Sequence, residues 1–276
     1  MRCKTDLPAT GALQQFPQGV PRSPTPGALL IPIRDTIPHR RTPVMTWAII
    51  AVNVAVFLYE LSLPPDELER LVYMFGIVPA RFRHPEWAQL MGLRFDSYWP
   101  FITCMFLHGG WAHIIGNMWS LWIFGDNVED VMGPWRFLLF YLLTGVAAGL
   151  THYFLNADSV VPTVGASGAI AGVLGAYFVL FPRSQILVVV PIFFFPFFFH
   201  LPAVTYLLFW FLSQIIGGAL AGLTSSQVSG IAFGAHVGGF VSGVVLHRLF
   251  MYPERERPRR FGRDEVGIEG AWAGWP

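Results

Sequence analysis

The sequence predicts an all-α membrane protein, a bundle of six transmembrane helices. Hydrophobic residues make up 54% of the 276 residues and charged residues only 13%, whereas a soluble domain usually carries about 25% charged residues. From Ser184 to His247 there is no Asp, Glu, Lys or Arg, and a soluble fold needs charged faces. Because each crossing needs about 20 apolar residues, a chain of this length accommodates about six spans.

The charge and cysteine content narrow the classes of function. The formal net charge is +1, so the chain lacks the strongly positive charge that is typical of nucleic-acid-binding proteins. Its two cysteines, Cys3 and Cys104, match no metal-ligand spacing and do not suggest a structural disulfide. We therefore expect the lipid bilayer as a partner, and we expect no nucleic acid, metal or cofactor.

Both termini are predicted to be cytoplasmic. Residues 1–43 are rich in Pro, Gly and Arg without a helical period, which indicates a mostly flexible arm. This arm is not a signal peptide, because the first apolar run starts only near Val44 and is long enough to span. Arginines precede that run and recur in the tail at 252–276, so the positive-inside rule places both ends inside. The membrane domain is then 44–251.

Polar connections separate the six apolar segments. The segment 64–100 is too polar to cross, although its Trp and Tyr residues suit an interfacial position. We expect an acidic turn at 125–130 and a loop at 156–163. The predicted spans are 44–63, 101–124, 137–155, 165–181, 203–223 and 230–251.

The Phe-rich segment 186–201 is a poor straight span, since it has sixteen residues and two prolines. If it crossed as a seventh helix, the Arg-rich tail would lie outside, against the positive-inside rule. We therefore expect this segment at the cytoplasmic face, or dipping into it, covered by protein where its backbone breaks.

Polar residues inside spans are costly, and three sets of them stand near span starts. His113 and Asn117 are four residues apart and share one face of span two. Ser167 opens span four and His236 opens span six. In the six-span topology these three spans run in the same direction, so the four side chains lie near the outer membrane face at similar depth. A seven-span topology would put His236 about 30 Å from Ser167.

Glycines around these residues favour close helix packing. Gly165, Gly168 and Gly172 lie at the start of span four, and Gly239 and Gly243 follow His236 on span six. Pairs of small residues at four-residue spacing let helix backbones approach. A hydrogen bond between a serine and a histidine on two helices needs that approach, at roughly 2.6–3.2 Å.

The arrangement is typical of nucleophilic catalysis. Ser167 is the candidate nucleophile, and His236 would take its proton and then protonate the leaving amine. No Asp or Glu is expected at this depth, so the pair would be a dyad whose imidazole is oriented by packing. The Ser167 N–H in the first turn of span four, with His113 and Asn117, would stabilise an oxyanion. Alone, the Gly-Ala-Ser-Gly motif favours helix packing, His236 could be a hydrogen-bonded core histidine, and His113 and Asn117 could bond across helices; their joint occurrence at one depth favours catalysis.

These residues resemble the rhomboid family of intramembrane serine proteases, over about 34–251. The resemblance rests on His108, His113 and Asn117 in that order, on the Gly-Ala-Ser-Gly motif around Ser167, and on Ala-His at 235–236 with the glycines that follow. The chain looks like a bacterial member, which implies the bacterial inner membrane.

The family resemblance also implies roles for particular parts of the chain. It implies a six-helix rhomboid bundle, cleavage of transmembrane protein substrates by a Ser167–His236 dyad, and oxyanion contacts from His113, Asn117 and the Ser167 backbone. It implies a structural role for Glu129, a first loop at 64–100 lying partly in the membrane, and entry gated by span five with the loop after it.

Two positions depart from the family pattern. Trp99-Pro100 stands where the family often has Trp-Arg, which puts the packing of the first loop in doubt. Ala171 stands one turn after the serine, where an aromatic residue often lies beneath the histidine. His236 therefore needs another support.

Two other functions compete with an endopeptidase. A rhomboid-like protein can bind transmembrane helices without cutting them, but inactive relatives typically lack the serine or the histidine, and this chain has both. A small transporter or channel would predict charged residues deep in the bundle or paired repeats with broken helices, and the sequence shows neither convincingly.

Overall fold

The protein is described by a computed structural model that covers residues 30–38, 40–192, 195–223 and 232–252. The predictions for residues 1–29, for the tail beyond Tyr252 and for the loop after span five fall outside these ranges. Within them, long helices form a bundle with a small sheet at one end.

The long helices follow the predicted spans in order. They are α1 (Val44–Ser62), α6 (Trp111–Met132), α7 (Pro134–Leu155), α8 (Ser167–Leu180), α9 (Ala203–Leu223) and α10 (Phe233–Phe250). Between α1 and α6 lie α2 (Pro65–Phe75), α3 (Ala80–Arg83), α4 (Pro85–Leu90), α5 (Pro100–Thr103) and a 3₁₀ turn, Cys104–Phe106.

Three of these helices are long and apolar enough to cross a membrane by length and composition: α1, α7 and the Ala203–Leu220 part of α9. Helix α8 is apolar but has only 14 residues. The chain is thus a multi-pass, mostly helical membrane protein, and six crossings stay a prediction.

Helix α8 lies at the centre of the bundle. Every residue from Gly168 to Tyr177 is buried, which fits a helix that is hydrophobic all round. It packs among α6, α7 and α10. Small residues make this possible, because a Cβ added at Gly172 would collide with Thr144 of α7, and one added at Gly175 would collide with the Phe240 carbonyl of α10.

The acidic turn expected at 125–130 is wrong, because these residues form the last turns of α6. Helix α6 begins ten residues and ends eight residues later than the predicted span 101–124. Glu129 accepts hydrogen bonds from the backbone N–H groups of Met45 and Thr46 at 2.9 and 2.7 Å. These are free N–H groups in the first turn of α1, so Glu129 caps that helix, a structural role.

The first loop is held by a buried arginine that its sequence pattern does not reveal. Arg81 is only 1% exposed, and its guanidinium donates to the carbonyl oxygens of Arg94 at 2.7 Å and Met74 at 3.1 Å. These bonds tie the end of α2 to the segment before α5 without the Trp-Arg pair. Pro100 instead occupies the first turn of α5, where the missing N–H is harmless.

A three-stranded antiparallel sheet corrects the all-α prediction. Its strands are β1 (Ile31–Asp35), β2 (Gln185–Ile192) and β3 (Phe195–Pro202), in the order β1-β2-β3. The prediction of a flexible arm is therefore wrong for β1. The run of Val and Ile in β2 favours a strand, and Pro191 lies opposite Pro196, near the end of the hairpin.

The β2–β3 hairpin determines at which end of the bundle the Phe-rich segment connects to α9. Its described residues are extended, and the Ala203 N–H donates to the Ser184 carbonyl at 2.8 Å. The chain therefore leaves α8 and enters α9 at the same end of the bundle, as expected for a segment that does not form a seventh spanning helix. Strand β3 is exposed along most of its length, and its placement against the cytoplasmic face stays a prediction.

Candidate active site

The N-terminal ends of α6, α8 and α10 meet at the end of the bundle opposite the sheet. Ser167 is the first residue of α8, and His236 lies in the first turn of α10. The Nε2 atom of His236 lies 2.8 Å from the Ser167 hydroxyl oxygen. The structure thus brings together two residues that are 69 positions apart in the chain.

Two glycines of α10 allow this approach. A Cβ added at Gly239 would collide with the Gly168 carbonyl oxygen, and one added at Gly243 would collide with the Gly172 carbonyl oxygen. Gly168 and Gly172 themselves face α7, since a Cβ at Gly168 would lie 2.7 Å from Ala148 Cβ. The glycines of α10 therefore pack that helix against α8, and those of α8 pack it against α7.

His113 and Asn117 lie against the backbone just before Ser167. A Cβ added at Gly165 would lie 2.5 Å from His113 Nε2 and 3.6 Å from Asn117 Nδ2. Gly165 also has a φ of +125°, a conformation that favours glycine. Both requirements keep this position free of a side chain and leave room for the two α6 side chains.

The amide of Asn117 is a free donor beside this backbone. Its Nδ2 atom is buried and has no hydrogen-bond partner among the described residues. His113 Nδ1 accepts a long hydrogen bond of 3.4 Å from the Gly109 N–H, which favours the proton on Nε2. The site therefore presents two side-chain donors toward Gly165, together with the Ser167 N–H, which has no acceptor within α8.

The loop that precedes Ser167 is held in place by contacts on two sides. Thr163 and Ile77 exchange two backbone hydrogen bonds of 2.8 and 3.0 Å. The Thr163 hydroxyl lies 2.8 Å from His152 Nε2, and the Gly165 N–H donates to the Cys104 carbonyl at 2.8 Å. These contacts fix the turn that leads into α8.

Two residues of α9 support the imidazole of His236, and neither is among the residues predicted from the sequence. Gln214 Oε1 lies 2.7 Å from His236 Nδ1, and the ring centroid of Trp210 is 5.9 Å from that of His236. Trp210 thus gives His236 an aromatic neighbour, which Ala171 does not. A signal was available, because Gln214 is an amide inside an apolar span and such residues are functional candidates by default.

Comparison with known proteins shows the family of this chain. A sequence model of the rhomboid domain matches residues 96–253, more than half of the chain, and that region contains all the candidate site residues. The chain belongs to the rhomboid family. This confirms the resemblance stated from the sequence.

Curated relatives of this rhomboid come from several kinds of organism. Rhomboid protease GluP of Bacillus subtilis is 33% identical over 135 residues, which cover 49% of this chain and 24% of GluP. Putative rhomboid protease YdcA of the same bacterium is 30% identical over 125 residues, covering 44% of this chain and 62% of YdcA. Rhomboid-like protein 11, chloroplastic, of Arabidopsis thaliana is 30% identical over 135 residues, 49% of this chain and 41% of that protein.

The matched regions therefore span less than two thirds of each of these relatives. Because a chloroplast protein is among them, a bacterial origin for this rhomboid stays a prediction.

One acidic residue stands closer to the site than expected. Glu60, at the end of α1, accepts hydrogen bonds of 3.2 Å at both carboxylate oxygens from the His108 N–H. The His108 ring in turn meets the His113 ring edge-on, with centroids 5.2 Å apart. The end of α1 and the start of α6 lie at the same end of the bundle because α1 runs the opposite way. Glu60 thus supports the loop behind His113 rather than the imidazole of His236.

Proposed function

We propose that this rhomboid is an intramembrane serine endopeptidase that cleaves transmembrane protein substrates near the outer membrane face. The observation that supports it best is the 2.8 Å contact between Ser167 Oγ and His236 Nε2. That distance lies within the range of a nucleophile bonded to its general base. The helix starts around it also supply free donors in the right place for an oxyanion.

The reaction that we propose has two stages. Ser167 Oγ attacks the carbonyl carbon of the scissile peptide bond while His236 Nε2 takes the hydroxyl proton. The oxyanion that forms is held by the Ser167 N–H with His113 and Asn117. When the C–N bond breaks, His236 gives the proton to the leaving amine. Water then attacks the acyl ester with His236 again as base, which releases the new carboxyl end and restores Ser167.

The site also implies what a substrate must do. A peptide bond inside an intact helix is shielded, because its carbonyl is hydrogen-bonded and its side chains crowd the approach. Substrates should therefore contain a locally unwound stretch of small residues at the depth of Ser167. Gly and Pro lower the cost of unwinding by about 1 and 3 kcal/mol per residue relative to Ala.

The proposed location follows from the same topology. We place the starts of α6, α8 and α10 near the outer face and both termini in the cytoplasm of a bacterial cell, with the protein in the inner membrane. The arginines of the arm and tail support that orientation.

A rhomboid-like protein that only binds transmembrane helices is the alternative function. Nothing in such a role requires a serine and a histidine at bonding distance or an unpartnered buried amide beside them. Those two features favour the enzyme.

Labelling with a fluorophosphonate in detergent tests the proposal. The reagent forms a covalent bond only with an activated serine, so we expect the wild-type protein to be labelled at Ser167 and Ser167→Ala to remain unlabelled. His236→Ala, which keeps the serine but removes the base, should label far more slowly. Equal labelling of the wild type and Ser167→Ala, or no labelling of the folded wild type, would overturn the assignment.

A further inference from the structure

We propose that Gln214 is a positioning residue that fixes the tautomer and orientation of His236 from a third helix. The inference rests on the proposed Ser167–His236 dyad and adds to it a member supplied by α9. It assigns to a neutral amide the task that a carboxylate performs in a catalytic triad.

Both ring nitrogens of His236 have partners. Nε2 lies 2.8 Å from Ser167 Oγ, and Nδ1 lies 2.7 Å from Gln214 Oε1. The partner of one ring nitrogen decides whether the other carries the proton. The identity of the Gln214 atom that faces Nδ1 therefore determines the state of Nε2.

The surroundings of Gln214 determine which way its amide points. Its Nε2 atom donates to the Trp210 carbonyl at 3.3 Å and to the Ser213 hydroxyl oxygen at 2.9 Å. The Ser213 hydroxyl itself donates to the same carbonyl at 2.6 Å, so its oxygen is left to accept. With the amide reversed, Gln214 Oε1 would face the Trp210 carbonyl, and two acceptors would oppose each other. The oxygen is therefore the atom directed at His236.

The direction of the amide fixes the chemistry of the imidazole. An amide oxygen can only accept a hydrogen bond, so Nδ1 of His236 must carry the proton. Nε2 then offers its lone pair to the Ser167 hydroxyl, which is the tautomer that a general base needs. When the imidazole becomes protonated, the same oxygen receives a charge-assisted hydrogen bond, which is stronger than the neutral one.

A neutral partner suits this location. A carboxylate at the position of Gln214, within the apolar helix α9, would carry the cost of a charge inside a membrane. The amide orients the ring without that cost, at the expense of a weaker stabilisation of the imidazolium.

The contact of Gln214 and Trp210 with His236 depends on how α9 packs against α10. Trp210 and Gln214 are four residues apart, so both lie on the face of α9 that meets α10. One turn later, a Cβ added at Gly217 would lie 2.5 Å from the Phe233 ring, so α9 and α10 also approach closely there. Ser167 and His236 sit on α8 and α10, and the alignment of the base is therefore coupled to a separate helix.

Two substitutions at one position test the inference. Gln214→Met keeps the length of the side chain but removes the acceptor, whereas Gln214→Glu, as the protonated acid, keeps an acceptor oxygen for His236 and a donor for the Trp210 carbonyl. We expect Gln214→Met to lower kcat on a single-span substrate about tenfold with KM nearly unchanged, as for the loss of one neutral hydrogen bond. Gln214→Glu should restore most of the rate. Leu139→Ala, at a position 52% exposed on α7, is the control and should behave as the wild type.

A second measurement reads the tautomer without depending on turnover. Nitrogen chemical shifts of the histidine rings in ¹⁵N-labelled protein distinguish a protonated from an unprotonated ring nitrogen, and His236→Gln identifies the signals of His236. We expect Nδ1 of the wild type to carry the proton and Gln214→Met to show a mixture of tautomers.

The outcomes separate this inference from the proposed function. If the wild type is inactive yet shows Nδ1 protonated in a Gln214-dependent way, the proposed function fails and the positioning role stands. If the wild type is active but Gln214→Met keeps the wild-type kcat and tautomer, Gln214 does not position the base. A rise in KM alone, or a Gln214→Glu variant as slow as Gln214→Met, also overturns the inference.

Discussion

The buried amide of Asn117 illustrates, for a single residue, how a functional site differs from a hydrophobic core. Its Nδ2 atom is buried without a hydrogen-bond partner among the described residues, and a buried unsatisfied donor costs about 1–3 kcal/mol of stability. A position that served packing alone would favour an apolar side chain. The unpaired amide lies next to Gly165, two residues before Ser167, where the proposed oxyanion would form.

Asn117→Leu should therefore separate activity from stability. Removing one oxyanion donor typically lowers kcat by about a hundredfold or more, so we expect a loss of that size. The free energy of unfolding should stay the same or rise, because the unpaired amide is gone. Steady-state cleavage and denaturant unfolding in detergent measure the two effects.

Asn127→Leu is the matched control on the same helix. Asn127 Nδ2 donates to Asp35 at 2.7 Å, so its loss should lower stability. If Asn117→Leu were fully active, or if it destabilised the protein as much as Asn127→Leu does, Asn117 would be a structural residue.

At the scale of elements, the contact between α8 and α10 sets the distance between the two reacting groups. Gly239 lies directly against the Gly168 carbonyl, one residue after the proposed nucleophile. Any side chain at Gly239 must therefore move one helix relative to the other.

Gly239→Val should lower activity without touching a reacting atom. A displacement of about 1 Å at a catalytic site can reduce the rate about a hundredfold, and we expect a decrease of that order in kcat. Gly116→Val provides the control, since a Cβ at Gly116 meets nothing within 4 Å, and it should leave the rate unchanged. Normal activity of well-folded Gly239→Val would show that this contact does not hold the dyad.

A second element-scale prediction concerns the docking of β1. Asp35 accepts hydrogen bonds from the Tyr177 hydroxyl at 2.6 Å and from Asn127 at 2.7 Å. Burial raises the pKa of Asp35 from 3.8 to about 7. Because the folded protein binds this proton more tightly than the unfolded chain, the contribution of Asp35 to stability is present below about pH 4. It is lost as the pH rises through about 7.

The melting temperature should therefore fall between about pH 5 and about pH 8 more steeply in the wild type than in Asp35→Asn. The variant has no proton to lose at that position, so its stability should depend less on pH. Thermal unfolding at several pH values measures the difference. Parallel curves for the two proteins would contradict the assignment of the pH dependence to Asp35.

At the scale of the whole molecule, the features that the sequence predicts best are those determined by the local pattern of residues. Apolar runs of sufficient length predict the helices, because no polar backbone is tolerated in a bilayer outside helices and closed barrels. The polar residues at the helix starts stand out because burying them there is costly. Ser167 and His236 can thus be paired from the sequence alone.

The features that the sequence did not predict all depend on partners far away in the chain. Strand β1 pairs Ile31 with Val189, and Glu129 finds its donors on α1, more than 80 residues earlier. The amide of Gln214 meets His236 only because α9 packs against α10. Local pattern carries no information on such contacts, which is why the sheet, the donors bound by Glu129 and the support of the imidazole were not predicted.

We propose that Ser167 and His236 act as one catalytic unit, and a double-mutant comparison tests this most directly. Ser167→Ala, His236→Ala and the double variant are each assayed for cleavage of a single-span substrate, with products identified by mass. We expect each single substitution to abolish cleavage and the double variant to be no worse than either, since losses within one unit are not additive. Substantial turnover by Ser167→Ala, or losses that add, would contradict the dyad.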